Sequence, residues 1–534
     1  MERSWVLPTC GGVGRRLIDA LLPGCAVLAG GLVHAASVLG HRFPLNDGGL
    51  FYQMIRELEA NGFALPAFTA YNRAGIPYAY PPLGIYLAGL VDLLGRWSAA
   101  DLLLYLPLAI SVGALVAFWR LSRTLLSSRA AAVAAVFAFG LLPRTGRWLL
   151  MGGGLTRELG FLFAILALEQ GYRLYARGER RRILPLIVLS GCTVLSHLDM
   201  AVLLAASLGL LLFAYGRNRA GVVQSAVIVA GTALIAAPWW GTVMAWHGAG
   251  PFLAALQARQ AAFADLSAWL LVRSTEEPYF PLLALLALGG MGFCLWRRQF
   301  LLPAWLVTIL LVQPAVAATS ATIVEALLVG VVVGEGLLPA LRAWGSRLAA
   351  AAAQGGLVGA ILRDGSAVAV ITALLAYALF SAIVAGQRVP ELSADERRAM
   401  EWIARNTPPA SAFAIVTWDD WCSDRTSEWF PALTGRVSVA TAQGSEWLPG
   451  GAFARQRARH EELQRCANRD ASCLEAWARW AGVAFTHVYL PKGRFLASGG
   501  DALARLRQSL RTNSSYAVAY DGPGATVFAR LAAP

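Results

Sequence analysis

The chain has 534 residues, 57% of them hydrophobic and 14% charged, with a mean hydropathy of +0.54. Soluble domains carry about 25% charged residues, so these values exclude a soluble globular protein and point to an α-helical polytopic membrane protein. The net charge of +13 rests on arginine, because Lys492 is the only lysine; in a multi-span chain such an excess reports loop orientation and anionic lipid headgroups, and no nucleic-acid partner is expected.

In chain order, Arg3, Arg15 and Arg16 precede a first apolar run at about 17–39 that lacks a convincing cleavage site and reads as a retained anchor. A first outer loop, 40–99, breaks the apolar pattern. In it Asp47 stands between Asn46 and Gly48-Gly49, ahead of an amphipathic helix with Phe51, Met54, Ile55 and Leu58 on one side. The loop continues through Tyr71, Asn72 and Arg73 to Tyr78-Ala79-Tyr80-Pro81-Pro82, and 81–95, with Asp92, reads as a re-entrant or surface-lying helix. Further spans are expected at 100–119, 130–143, 159–175, 183–196, 200–215, 221–238, 279–296, 300–318, 322–341 and 366–386, eleven with the first. The arginine-dense turns (120–129, 173–182, 217–219, 297–298, 342–363) fall on the side of the N-terminus. The loops 40–99, 144–158 and 239–278 fall opposite, which orients the chain N-in and C-out, as in a bacterial-type inner membrane.

Residues 1–386 thus form a transmembrane domain, and 387–534 an extracytoplasmic α/β domain with strands at FAIVTW, HVYL, YAVAY and ATVFA and helices at RQRARHEELQRC and ALARLRQSL. Cys466 and Cys473 have a spacing compatible with a small disulfide loop, and two unpaired thiols fit equally well.

The outer face gathers the polar groups that could carry chemistry: Asp47, Arg73, Tyr80, Arg144, Arg157, Glu158, His197, Arg273, Glu276 and Glu277. A lone carboxylate can take the proton of an acceptor hydroxyl, and arginines make two-point contacts to phosphate. Each group also has a plainer role. Asp47 can cap the following helix, Arg157 and Glu158 can form an interfacial pair, His197 can satisfy a carbonyl, and Gly152-Gly153-Gly154 can be a flexible bend where a phosphate cradle is the alternative. HExxH, GxSxG and Walker patterns are absent.

With these stretches in view the chain resembles the GT-C-type glycosyltransferases, polytopic enzymes that use polyprenyl-phosphate-linked sugars. NDGGLFYQMIRELEANGFALP followed by PYAYPPLGIYLAGLV is similar to the acid-then-PPL pattern of protein mannosyltransferases and aminoarabinose-type lipid A transferases, whose catalytic acid matches Asp47. AMEWIARNTPPASAFAIVTWDDW resembles the opening of the oligosaccharyltransferase outer domain, with Trp418, Asp419, Asp420 and Trp421 in the place of a WWD motif that reads the acceptor peptide. Because Trp-Trp-Asp itself is absent, that recognition does not carry over. A divalent metal is compatible with the resemblance, but Glu158 has no second acid beside it. The aromatic and polar stretch 428–447 fits glycan or acceptor contact, or packing on the outer loops.

The resemblance implies transfer of a sugar from a polyprenyl-phosphate-linked donor to a lipid, glycan or protein acceptor, with inversion. Asp47 would act as the base, and Arg73, Arg157, Arg144 and Arg273 as holders of the departing phosphate. A transporter or flippase of a lipid-linked glycan is the rival reading. It would place polar residues at mid-membrane depth in several spans, whereas the polar groups here lie at one end of them.

Overall fold

The computed structural model describes residues 11–260, 274–314, 316–351, 356–494 and 500–531. Apolar runs become helices because a helix satisfies every backbone N–H and C=O within one segment. The chain runs α1 (Gly11–Val38), α2 (Gly49–Ala60), α3 (Leu83–Asp92), α4 (Ala99–Leu125), α5 (Arg129–Leu141), α6 (Pro143–Trp148), α7 (Gly154–Tyr175), α8 (Ile183–Ser196), α9 (Leu198–Tyr215), α10 (Arg219–His247) and α11 (Gly250–Gln260). Apolar helices follow over Leu282–Trp296, Leu301–Val312, Ala317–Val331 and Gly356–Gly386.

Among the described residues six helical stretches are long and apolar enough to cross a membrane: 21–38, 99–125, 198–215, 219–247, 317–350 and 367–386. The other five expected spans fall on α5, α7, α8, Leu282–Trp296 and Leu301–Val312. Four of these have only 12 to 15 residues, about 18–23 Å at the helical rise, against a hydrocarbon core of about 30 Å. α7 is long enough but carries Arg157, Glu158, Glu169 and Arg173. The helices pack closely: Phe118 stacks on Phe139 at 4.2 Å between centroids, and a Cβ on Gly30 would lie 2.9 Å from the Gly140 Cα, so α1 and α5 touch there through backbone.

The stretch between α1 and α4 holds α2, a two-stranded antiparallel ribbon of β1 (Phe68–Thr69) and β2 (Ile76–Pro77), and α3. Beyond residue 390 a five-stranded sheet forms from β3 (Ala412–Ile415), β4 (Val437–Ser438), β5 (His487–Pro491), β6 (Tyr516–Asp521) and β7 (Ala525–Arg530), in the order β4-β3-β5-β7-β6. β3 is parallel to β4 and β5, while β7 is antiparallel to β5 and β6. Four strands coincide with the stretches read as strands; β4 has two residues, too few to show a period. Cys466 and Cys473 are joined as a disulfide.

Alternation along the strands gives the sheet two apolar faces. Ala414, Val416, Val488 and Leu490 pack on the helices Ala452–Gln464, Ala471–Ala481 and Ala504–Thr512. Phe413, Ile415, Tyr489 and Val527 join Trp429 and Phe430 of the helix Arg425–Thr434, and with them Leu50, Met54, Ile55 and Leu58 of α2. The apolar side of α2 is therefore covered by the sheet-bearing part of the chain. Backbone bonds seal the junction: Asn46 N–H donates to Pro390 O at 3.0 Å, and the Glu391 carboxylate accepts from Arg42 and Phe43 N–H at 2.7 and 2.8 Å.

Candidate active site

Asp47 leaves its own helix uncapped. The N-cap of α2 is Gly48, at φ 128°, with no side-chain cap. Glu428, from the first turn of the helix Arg425–Thr434, takes over: its Oε1 accepts the Gly48 N–H at 2.9 Å and it also accepts from the Leu50 N–H. A carboxylate at a helix N-terminus is favoured by the unpaired N–H groups and the dipole. With that position filled, the Asp47 carboxylate turns to the N-terminus of α7, where Gly153 N–H donates to its Oδ1 at 2.8 Å.

Glycine makes this seat. A Cβ on Gly153 would lie 2.6 Å from Asp47 Oδ2, and one on Gly152 would lie 2.0 Å from Asp47 O. Gly152-Gly153-Gly154 is where the Asp47 loop meets the start of α7. Trp429 closes the other side, its Nε1 donating to Asn46 O at 3.1 Å, while Asn46 Nδ2 donates to Cys422 O at 3.2 Å.

Two acids now share one junction. Burial pushes the Asp47 carboxyl above its ordinary value, against the pull of the Arg157 charge and the Gly153 N–H. Burial, then the Asp47 charge, holds Glu428, only 4% exposed, well above the usual carboxylate range. Buried like charges cannot both ionise cheaply, so each acid holds its proton more tightly than it would alone in water, Glu428 the more strongly.

Arginines converge on the same end of the helices. Arg144 pairs with Glu276 and lies 4.5 Å over the Trp148 ring. Arg147 donates to Glu276 Oε2 at 3.0 Å and Trp148 Nε1 to Glu276 Oε1 at 2.7 Å. Arg157 donates to Trp148 O at 2.6 Å, and its charge is felt by Asp47, Arg144 and Tyr80. Glu158 is fully buried in α7 and, among the described residues, forms no ion pair with Arg157. Tyr80 donates to Glu446 Oε1 at 3.1 Å.

Other expected residues stand elsewhere. Arg73 is exposed and donates to Gly435 O at 3.1 Å. Gly435 lies seven residues beyond Glu428, at the far end of that helix, about 10 Å along its axis, so Arg73 is not brought to Asp47. His197 is the N-cap of α9, its Nδ1 accepting the Asp199 N–H at 3.2 Å. Arg273 lies outside the described residues. Of 418–421, Trp418 is 48% exposed at φ 70°, Asp419 faces Arg494 at 3.4 Å, Asp420 O accepts the Ser423 N–H at 2.9 Å and Trp421 packs edge-on against Phe453. The residue that follows this segment, Cys422, meets the Asp47 loop, its carbonyl accepting from Asn46 Nδ2.

Glu428 and Trp429 escaped the sequence reading as site residues, although both open the stretch read as fit for glycan or loop contact. No residue pattern says that an acid 380 positions away caps α2.

No protein-family model and no curated protein sequence matches this chain. Solved structures do. The archaeal oligosaccharyltransferase AglB from Archaeoglobus fulgidus, in complex with an inhibitory peptide and a dolichol-phosphate, matches with a TM-score of 0.56 and 14% identity over 89% of this chain and 70% of its own. ArnT from Cupriavidus metallidurans in the apo state matches with 0.50 and 14% over 95% and 98%. The arabinofuranosyltransferase AftD from Mycobacteria matches with 0.56 and 15%, covering 96% of this chain but 40% of its own. At such identities the likeness establishes the fold that this chain shares with these three proteins.

Proposed function

We propose that this chain is a membrane glycosyltransferase that moves a sugar from a polyprenyl-phosphate-linked donor to a lipid, glycan or protein acceptor at the outer face of the membrane. The observation that carries the reading is the position of Asp47, relieved of helix capping by Glu428 and held by Gly153 N–H beside Arg157. The dolichol-phosphate in the AglB structure lends support to a lipid-phosphate donor. An arrangement of eleven membrane segments, N-in and C-out, follows from the arginine-dense turns, with the short helices crossing inside the protein body. The Cys466–Cys473 disulfide fits an oxidising compartment for residues 387–534.

In this reading Asp47 takes the proton of the acceptor hydroxyl as its oxygen bonds to the anomeric carbon. The bond from that carbon to phosphate breaks on the opposite side, inverting the centre and leaving the electron pair on the phosphate. Arg157, with Arg144 and Arg147 behind it, meets the charge that develops there. Among the described residues no group of three or more His, Cys, Asp or Glu side chains is placed to hold a metal. Asp47 meets the Gly153 N–H, the Arg157 charge and the acid Glu428, and no step is routed through a metal.

The test is Asp47→Asn in a purified, reconstituted protein supplied with lipid extract from its own membranes. Transfer is expected to fall by about 10³-fold, with an unchanged melting temperature. Wild-type turnover by the variant would remove the assignment.

A further inference from the structure

An arc of touching aromatic rings runs away from the Asp47 junction. Phe51 meets Tyr80 edge-on at 4.9 Å, Tyr80 meets Trp447 at 5.1 Å, Trp447 meets Phe252 at 6.5 Å and Phe252 meets Trp239 at 5.6 Å. The arc draws on α2, the Pro-rich loop, the turn at 445–447, α11 and α10, stretches that meet only in the folded chain. Its polar atoms are not satisfied. Trp239 and Trp447 are each 3% exposed, and neither indole N–H has a hydrogen-bond partner among the described residues. Glu446 accepts the Tyr80 hydroxyl on one oxygen at 3.1 Å, while its other oxygen is buried with no partner among the described residues. Buried polar atoms without partners are rare in folded proteins and costly.

The chemistry of what would satisfy them is narrow. Two indole donors and a carboxylate acceptor ask for a ligand that both accepts and donates hydrogen bonds, as hydroxyls do. Aromatic faces between them ask for an apolar C–H surface. A lipid tail would leave the indoles orphaned, and a phosphate would meet the Glu446 carboxylate. We propose that Tyr80, Trp239, Phe252, Glu446 and Trp447 form a subsite for a carbohydrate ring. The proposal rests on the transferase reading; the ring belongs either to the donor or to the acceptor glycan.

Saturation-transfer NMR on the full chain in nanodiscs tests it, with methyl hexopyranosides and methyl pentofuranosides as one set of probes and the same sugars on farnesyl phosphate as the other. At least one sugar is expected to bind wild type and Asp47→Asn alike. Trp447→Phe and Trp239→Phe, which keep the ring and drop the donor, and Glu446→Gln are expected to weaken that binding by about fivefold or more, the loss typical of one hydrogen bond. Binding of the methyl glycosides assigns the subsite to the acceptor; binding of the farnesyl-phosphate sugars alone assigns it to the donor. No binding in either set, or binding unchanged in all three variants, overturns the subsite while leaving the Asp47→Asn result to decide the transferase reading.

Discussion

α7 carries a charge cluster at each end, and the two are built in opposite ways. At its C-terminal end every acid is answered. Glu179 accepts from Arg173 and Arg182 at 3.0 and 2.9 Å and lies 3.5 Å from Arg181, and Glu169 accepts from Arg120 and Arg173 at 3.0 and 3.4 Å. The hydrogen bonds from Arg173 and Arg182 pull Glu179 down to about 2. About 33 Å away along the same helix, Asp47 and Glu428 are both pushed up by burial, and Glu158 Oε2 has no partner. One end pairs each acid with arginines, whose charges complement the helix dipole. The other keeps ionisable groups under strain, as sites that exchange protons do. Charge density alone separates nothing; the balance between partners and burial does.

The contrast can be broken from either end. After the loss expected for Asp47→Asn, the largest effect is predicted for Gly153→Ala: the new methyl meets Asp47 Oδ2, and displacing that carboxylate by about 1 Å should cost about 10²-fold in turnover, measured beside Gly500→Ala as a surface control. Glu428→Ala strands the Gly48 and Leu50 N–H groups and should cost about 1–3 kcal/mol in denaturant unfolding. Glu428→Gln mimics the protonated acid, so transfer should stay near wild type while the pH dependence of stability changes. The sign follows from the raised folded pKa: the native state holds its proton more tightly than the unfolded chain, so wild-type stability is highest below the ordinary glutamate value of 4.5 and falls as pH rises toward the folded value. Melting curves of Glu428→Gln should be flatter over that range; identical slopes would mean that Glu428 is ionised throughout. The smallest effect belongs to the anchor end, where Glu179→Gln should leave transfer within about twofold, since solvated pairs contribute little.

Periodicity made much of this readable in advance. The apolar side of α2 was legible as Phe51, Met54, Ile55 and Leu58 because a 3.6-residue repeat records burial whatever does the burying. Asp47 stood out because an acid after a span is conspicuous. Its partners did not stand out: Gly153 is 106 residues away and Glu428 a further 275. Arg73 and Arg157 look equally suited to phosphate in a string of letters, yet one ends at Gly435 O and the other beside Asp47. The eleven expected spans were read from hydropathy, which sees composition; helix lengths leave six among the described residues that meet both criteria.

The sequence by itself determined the helical membrane character, the apolar face of α2, most strands of the sheet and the presence of an acid at residue 47, since each is set by neighbours in the chain. Tertiary structure alone decided that Asp47 caps nothing on its own helix, that Glu428 does so instead, and that Tyr80, Glu446, Trp447 and Trp239 meet. The reason is physical: hydrogen bonds and burial act through space, and across this junction the partners are hundreds of residues apart.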